Sequence, residues 1–386
     1  MAKPSLSALT AAALALPGLA QAELQTDYLY SHYEEGDLPG GRAASGQSSE
    51  RYTIDSHLFR VVAPFDDQAL TVNATYETMS GASPWWVQPD ANGRPVQVMS
   101  GASIEEERFD VQGAWTLPLA DLDWSVALGY STEDDYEAIN GGIEGAYALQ
   151  NGQLTVSGGL GYSYDQLDPE VGASSTDVIA DADKDSFTAY GGASWVIDAQ
   201  TLWQSTLSYT LHDGYLSDPY KRAFIVDDAG TVRDARPGSR ELWALSARFR
   251  HYVAAANAAL HVDYRYFHDD WEIEAHTLEL SWNQVFAETW RVTPAVRWYS
   301  QSQAYFYAPY YASARSDGLA SSDYRLSPYG ALSARVDLRK ALGEWELGVG
   351  AEWYDASADY AIESVDVVNP GLVEYLSLNL RLARRF

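Results

Sequence analysis

Cysteine, lysine and long apolar runs are scarce or missing in this sequence. Its 386 residues include no cysteine, so neither disulfides nor thiolate chemistry can stabilise the fold or drive a reaction. Basic residues number 25 against 54 acidic ones, and the net charge of −29 disfavours nucleic acid as a partner, because phosphates would be repelled. Beyond residue 22, no stretch approaches the roughly 18 to 20 consecutive apolar residues that a membrane-spanning helix needs. If the chain spans a membrane, it must do so with strands.

The first residues have the pattern of a secretory signal peptide. Lys3 supplies a basic start, residues 6–19 are rich in Ala and Leu, and Ala20-Gln21-Ala22 has the small-x-small form of a cleavage site. We expect cleavage near Ala22, which divides the chain into a signal peptide, 1–22, and a mature domain, 23–386.

Alternation of apolar and polar residues is the main pattern of the mature domain. The final segment, residues 375–386, alternates almost to its last position and ends on Phe386. A period of two indicates a β-strand, and the terminal aromatic resembles the signal by which outer-membrane barrels are recognised for insertion. Sixteen segments of about ten residues follow this alternation, with 24–33, 51–62 and 137–149 the weakest of them. The 13 Trp and 27 Tyr suit aromatic belts at two lipid interfaces.

The lengths of the connections alternate as well. Those after even-numbered predicted strands are short, at 64–68, 118–121, 151–152, 198–200, 253–257, 286–288 and 339–343. Those after odd-numbered strands are often long, at 34–50, 79–103, 166–182, 213–240, 301–323 and 355–373. Short periplasmic turns and long extracellular loops are typical of transmembrane barrels, and closure satisfies every backbone group in lipid. The sequence therefore predicts an all-β fold, a transmembrane antiparallel up-and-down β-barrel of about sixteen strands (14 to 18). A soluble secreted or periplasmic protein is the alternative.

The polar side of each predicted strand should face the lumen. Its charged residues, which we expect to line the pore, include Glu77, Asp110, Arg248, Arg265, Arg291, Arg297, Arg335 and Arg381. Acids dominate the early strands and Arg the later ones, so one interpretation is a transverse field across the pore. The other is that these charges simply pair between neighbouring strands.

One predicted loop, residues 79–103, contains a duplicated string. Met79-Ser80-Gly81-Ala82-Ser83 recurs as Met99-Ser100-Gly101-Ala102-Ser103, and the two copies flank Trp85 and Arg94. Small residues let backbone segments approach each other closely. We expect this loop to fold into the pore as a constriction or cap, and the alternative is a paired loop base outside the barrel.

These strings, together with Glu133-Asp134-Asp135-Tyr136 and the leader, resemble a family of uncharacterised proteobacterial outer-membrane proteins classed as a domain of unknown function. The resemblance covers essentially the whole chain. It implies an outer-membrane barrel, no established activity and no catalytic residues to carry over. It also associates the chain with gene neighbourhoods that encode thioredoxin-like and flavin-transferring proteins, although no residue of the sequence indicates a redox role.

Patterns for catalysis, metals and cofactors are weak. His212-Asp213 and His268-Asp269-Asp270 place imidazole beside carboxylate, but adjacent strand residues point to opposite faces. No Gly-x-Ser-x-Gly elbow or phosphate-cradling Gly-Lys motif occurs, and the seven His form no spaced cluster. We therefore predict no enzyme, no metal site and no cofactor.

The leading functional prediction is a porin-like channel for passive passage of small solutes, because sixteen strands leave an aqueous channel. The alternative is a non-conducting envelope scaffold, or an outer-membrane partner of a periplasmic thioredoxin or flavin redox system. The expected location is the outer membrane of a Gram-negative cell. The expected partners are its lipid and lipopolysaccharide, together with the barrel assembly machinery during insertion. Homo-oligomerisation is left open, and the solute is not identified.

Overall fold

Strands dominate the computed structural model, which describes residues 23–100, 104–169 and 178–386. In chain order they are β1 (Gln25–Glu35), β2 (Thr53–Phe65), β3 (Gln68–Gly81), β4 (Pro84–Pro89), β5 (Pro95–Met99), β6 (Ile104–Leu119), β7 (Leu122–Thr132), β8 (Tyr136–Leu149), β9 (Leu154–Leu167), β10 (Ala182–Asp198), β11 (Thr201–Gly214), β12 (Arg222–Ile225), β13 (Gly230–Arg233), β14 (Ser239–Val253), β15 (Ala258–Asp269), β16 (Glu274–Phe286), β17 (Trp290–Gln301), β18 (Tyr329–Leu342), β19 (Trp345–Ser357) and β20 (Glu374–Arg385). Short 3₁₀ turns lie at Gln150–Gly152, Ala254–Ala256, Tyr324–Leu326 and Ala358–Tyr360.

Sixteen of these strands form one closed antiparallel barrel, which confirms the predicted fold class. The ring follows the chain, and only β4, β5, β12 and β13 lie outside it, as two separate hairpins. Closure joins the last strand to the first, in a continuous ladder from Gln25 opposite Arg385 to Glu35 opposite Tyr375. The predicted leader, 1–22, lies outside the described residues.

The outer face of the wall is apolar and exposed. Along β20, Leu376, Leu378, Leu380 and Leu382 are each between 38% and 54% exposed, while the polar residues between them are half-buried on the inside. A water-soluble protein would bury such a row against another layer, whereas a lipid bilayer solvates it. Exposed Trp side chains lie towards both rims, as an aromatic belt requires; Trp115, Trp195, Trp203 and Trp345 are near one rim, and Trp243 and Trp353 near the other.

Tight hairpin turns connect neighbouring strands at one end of the barrel. The residues between β2 and β3, and between β6 and β7, include Asp66, Ala120 and Asp121, all with positive φ. Two-residue turns of this hand match the twist of the flanking strands. The first strand, β1, begins at this rim, and the last strand, β20, ends there.

The other rim carries the remaining connections, most of which are longer. We number them in chain order as loop 1 (36–52), loop 2 (82–103), loop 3 (133–135), loop 4 (168–181), loop 5 (215–238), loop 6 (270–273), loop 7 (302–328) and loop 8 (358–373). Loop 2 contains the β4–β5 hairpin and loop 5 the β12–β13 hairpin. None of the helical segments described is long and apolar enough to cross a membrane.

Candidate functional site

Three long loops meet over the mouth of the barrel. The backbone N–H of Val87 in loop 2 donates to the Ser322 hydroxyl in loop 7 at 3.3 Å, and Lys221 Nζ in loop 5 donates to the Pro84 carbonyl at 2.9 Å. Six wall strands, β6 to β11, separate loop 2 from loop 5 around the ring. Loops that start from such distant parts of the rim can touch only if they extend over the lumen. We call the assembly of loops 1, 2, 5, 7 and 8 the cap.

The cap has its own apolar core. Phe306 of loop 7 is fully buried and meets Trp271 of the neighbouring loop 6 edge to face, with ring centroids 5.2 Å apart. A second cluster joins Ile225 of loop 5 to Tyr311 of loop 7. Burial of this kind is what folds a domain, so the cap is a packed structure and not a set of independent loops.

Six charged residues meet in the cap, and we call them the charge cluster: Asp218, Lys221, Asp234, Arg236, Asp323 and Arg325. Five of them are largely buried, whereas the Arg325 side chain is 34% exposed. Arg236 bonds both Asp234 (2.7 Å) and Asp323 (2.9 Å), and Arg325 bonds Asp218 (3.0 Å) and Asp323. The Asp323 side chain has no exposed surface. Burial by itself raises the pKa of Asp323, but the positive charges of Arg325, Lys221 and Arg236 outweigh it and hold that pKa well below its usual value. The cluster therefore links loops 5 and 7 with ionised groups.

Two arginines of loop 1 bond loop 8. Arg42 donates to the carbonyl oxygens of Pro370 and Leu372, the latter at 2.7 Å. Arg51 bonds the Glu35 carboxylate at 2.7 Å and the Gly371 carbonyl at 3.2 Å, and its side chain is almost fully buried. Carbonyl oxygens at these loop ends are thus satisfied by guanidinium groups of a different loop.

The duplicated strings meet at the base of the β4–β5 hairpin. Ser83 and Ser100 exchange hydrogen bonds: the Ser83 N–H donates to the Ser100 hydroxyl at 2.9 Å and the Ser100 N–H to the Ser83 carbonyl at 2.8 Å. Met99 pairs with Pro84 in the same ladder. Met79, Ser80 and Gly81 are the last residues of β3, so the loop begins three residues later than predicted. Gly101 and Ser103 lie outside the described residues.

The two other predicted residues of this loop lie apart from its base. Trp85 packs edge to face on Trp86, with ring centroids 4.6 Å apart. Arg94 lies at the hairpin tip, where its side chain is 71% exposed and bonds Asp90 at 2.7 Å. The most deeply buried residue of the hairpin is Val87, which has no exposed surface and which sequence analysis did not single out.

Gly81 gives a test of how closely loop 1 packs against the end of β3, where loop 2 begins. Its φ is +126°, and an added Cβ would collide with the carbonyl oxygen of Arg51. We expect Gly81→Ala to cost roughly 2–5 kcal/mol of unfolding free energy, because backbone strain and overpacking act together. Gly93→Ala is the matched control. The φ of Gly93 is +79°, but no atom lies within 4 Å of an added Cβ, so only about 1–2 kcal/mol of backbone strain is expected. Urea unfolding in detergent, followed by Trp fluorescence, measures both; equal effects would contradict the close contact.

Most of the predicted lumen charges have carboxylate or guanidinium partners. Glu77 bonds Arg108 (3.2 Å), Arg335 bonds Glu279 (3.0 Å) and Arg381 Nε bonds Asp27 (2.8 Å). Asp110 lies 4.0 Å from Arg108, and Arg248 lies 3.7 Å from Asp263. Arg108 was missed, although it has the same strand parity as Asp110 and therefore points inward. Partners such as Asp27 become identifiable only once the strand register is known.

Three predicted lumen arginines have no carboxylate within ion-pair distance in the described part of the chain, namely Arg265, Arg291 and Arg297. Arg265 lies over the Phe267 ring, 5.3 Å from its centroid. Arg291 and Arg297 are exposed to the interior of the barrel. The later strands therefore carry uncompensated positive charge, in a chain that is strongly negative overall.

The His residues considered for catalysis do not form a triad. His212 Nδ1 lies 2.7 Å from the Ser186 hydroxyl, but within 23–100, 104–169 and 178–386 no carboxylate bonds its other ring nitrogen. His268 faces Glu274 at 3.8 Å on the exposed rim. The same residues include no group of three or more His, Asp or Glu that could hold a metal ion.

Similarity to solved structures agrees with the outer-membrane type of barrel. The chain is similar to CdiB from Acinetobacter baumannii, with a TM-score of 0.51, 9% identity, and 94% of this chain and 60% of that chain covered. A weaker likeness is to the siderophore receptor PirA from Pseudomonas aeruginosa, with a TM-score of 0.43, 10% identity, and 87% of this chain and 56% of that chain covered. Another is to a bacterial polysaccharide outer membrane secretin, with a TM-score of 0.48, 8% identity, and 94% of this chain and 98% of that chain covered. The chain spans little more than half of PirA and CdiB, and at these identities the likeness shows the fold alone.

Sequence comparison gives a family but no activity. No curated protein matches the chain. The prediction that the chain belongs to an uncharacterised family is confirmed over nearly the whole length of the chain. That the duplicated strings are a signature of this family stays a prediction. The chain belongs to the family described as "Protein of unknown function (DUF3570)", which matches residues 6–378.

Proposed function

We propose that the protein is a porin-like channel for small hydrophilic solutes in the outer membrane of a Gram-negative cell, and that the cap restricts its outer mouth. The mature chain would begin after cleavage near Ala22, insert with the help of the barrel assembly machinery, and contact lipid and lipopolysaccharide through its outer face and loops.

The observation that carries this proposal is the inner wall. Charged side chains such as Arg291 and Arg297 are exposed inside a closed ring of sixteen strands. Exposed charges need water around them, and a ring of this size is wide enough for an aqueous channel. A barrel that served only as a scaffold could fill its interior with apolar side chains. The cap favours restricted conduction, since five loops are packed across one mouth.

Conductance through planar bilayers tests the proposal. We expect the refolded mature protein to conduct weakly, and a variant with residues 85–98 replaced by a short Gly-Ser linker to conduct several-fold more, because the hairpin that contacts loops 5 and 7 is gone. Arg94→Ala is the control: it removes only the guanidinium at the hairpin tip, whose side chain is 71% exposed, and should leave conductance unchanged.

Absence of conductance in both the wild type and the linker variant would contradict the channel and favour the non-conducting scaffold. Correct folding of each variant is checked by its heat-modifiable migration on gels, so that a misfolded barrel is not mistaken for a closed one.

A further inference from the structure

Three arginines share one row of the inner wall, near the rim with the short turns. In the hydrogen-bonded ladder, Arg291 of β17 is opposite Arg339 of β18, Arg339 is opposite Gly348 of β19, and Gly348 is opposite Arg381 of β20. We call Arg291, Arg339 and Arg381 the arginine row. Gly348 lets the stems of two of these side chains lie close together, since an added Cβ there would be 3.2 Å from Arg381 Cβ and 3.5 Å from Arg339 Cγ.

Carboxylates compensate this row only in part. Arg381 bonds Asp27 and lies 3.4 Å from Glu346, and Arg339 lies 3.8 Å from the same glutamate. Arg291 has no such partner among the residues described. Like charges directly opposite each other on one face of a sheet repel and destabilise it. The Arg291–Arg339 pair is therefore a cost to the fold, which Glu346, shared between Arg339 and Arg381, offsets only in part.

A cavity of about 510 Å³ opens beside the row. Arg291, Arg335 and Arg339 contribute to its wall, and so do three carboxylates, Asp263, Glu279 and Asp337. Neutral polar groups make up much of the rest, from Ser281, Asn283, Thr293, Asn257 and Tyr252. The volume of the cavity lies within the range of small-molecule sites. Asp263 is bonded to Arg250 at 2.7 Å. Arg335 is already bonded to Glu279 and lies 3.3 Å from Asp337, so the free positive charge of the cavity belongs mainly to Arg291.

We infer that this cavity binds a small organic anion, with its phosphate or carboxylate between Arg291 and Arg339 and a polyhydroxylated skeleton on the neutral polar wall. Guanidinium groups recognise both kinds of anion through paired N–H donors. Hydroxyl and amide side chains suit the hydroxyls of a sugar acid or sugar phosphate. The bound anion would also neutralise the Arg291–Arg339 repulsion. This inference rests on the proposed function in that the ligand is a solute of the channel.

Titration calorimetry of the full mature barrel in detergent, with glucose 6-phosphate, glucuronate and glucose as probes, tests the site. We expect saturable binding of at least one charged sugar and none of glucose. Arg291→Gln should weaken binding roughly tenfold to a hundredfold, as loss of a charged hydrogen-bonding group does. Arg297→Gln is the matched control, because Arg297 is an unpaired inward arginine of the same strand that does not line the cavity. Preference for one charged probe over the other identifies the anionic group.

Two further readouts separate a ligand site from a structural role. Val285 is the ladder partner of Arg291 on β16, so Val285→Glu places an internal carboxylate opposite the arginine and should abolish binding while the barrel stays folded. Arg291→Gln should leave the barrel as stable as the wild type or more so, since it relieves repulsion.

Failure to bind either charged sugar, or equal weakening by Arg297→Gln, would overturn the inference. Loss of stability in Arg291→Gln would assign that arginine to the fold instead. Binding in detergent needs no conduction: a barrel that binds without conducting contradicts only the channel, and one that conducts without binding contradicts only this site.

Discussion

Replacing Asp323 by Asn is expected to loosen the cap while the barrel stays folded. The side chain is fully buried, bonds Arg236 and Arg325, and caps the turn Tyr324–Leu326 through the Arg325 N–H. Asn keeps the shape but removes the negative charge, which leaves Arg236, Arg325 and Lys221 with too few carboxylates. Removing one partner of a buried ion pair costs about 3–5 kcal/mol. We expect the cap, which contributes no strand to the barrel wall, to absorb that loss.

Hydrogen exchange measures this effect directly. Backbone amides of loop 7, residues 302–328, should exchange roughly a hundred to a few thousand times faster in Asp323→Asn, because about 1.4 kcal/mol corresponds to a factor of ten. Amides of the barrel wall should not change. Asp317→Asn is the control in the same loop: its pair with Arg315 is about one-third exposed on both sides, and exposed pairs contribute little. Similar exchange in the two variants would refute the role of the charge cluster.

The pH dependence of the cap follows from the same carboxylate. Because the folded pKa of Asp323 is held below the unfolded value of 3.8, its ionisation stabilises the cap above that value. This stabilisation is lost as the pH falls through the lower, folded pKa. The cap is therefore expected to stay closed at neutral pH and to loosen only in strong acid, and that acid transition should be weaker in Asp323→Asn.

Deleting Phe386 is expected to remove most of the assembled protein from the outer membrane of cells without destabilising the folded barrel. Phe386 follows β20, is 49% exposed, and contacts the barrel through a hydrogen bond from its N–H to the Leu24 carbonyl and through the Arg384 guanidinium over its ring. So little packing predicts a change in unfolding free energy within about 0.5 kcal/mol. The residue would act as an insertion signal, which matters only during assembly.

The test compares the amount of the protein in the outer membrane of cells with the yield of refolding of the purified protein. Phe65→Ala is the control, because Phe65 is 45% exposed at the end of β2 near the same rim. Its replacement should lower neither the amount in the membrane nor the yield of refolding. If deleting Phe386 lowered the refolding yield as much as the cellular amount, the residue would be structural.

The barrel wall was predictable because each strand must alternate to face lipid on one side and water on the other. Even the weak segments 24–33, 51–62 and 137–149 correspond to β1, β2 and β8, with ends shifted by a few residues. The predicted turn at 339–343 was less accurate: β18 continues to Leu342, which places Arg339 in the wall. The arginine row could not be recognised without that strand end and the register across β17 to β20.

The cap was beyond sequence analysis for a different reason. Its contacts join residues 137 and 235 positions apart, as between Lys221 and Pro84 or Val87 and Ser322. No periodicity marks such pairs, and buried charges like Asp323 look the same in sequence as solvated loop charges. The duplicated string pointed to loop 2, but not to its partners in loops 5 and 7.

The seam between β1 and β20 makes the order of synthesis matter. Asp27 and Arg381 meet there although 354 positions separate them in the chain. Until the last strand has been exported, the first one presents an unpaired edge that can join any other strand, and contacts of such high sequence separation form slowly. A chain that stops short of β20 should therefore not give a smaller channel. It should persist as an aggregation-prone intermediate that depends on chaperones and is removed by periplasmic proteolysis.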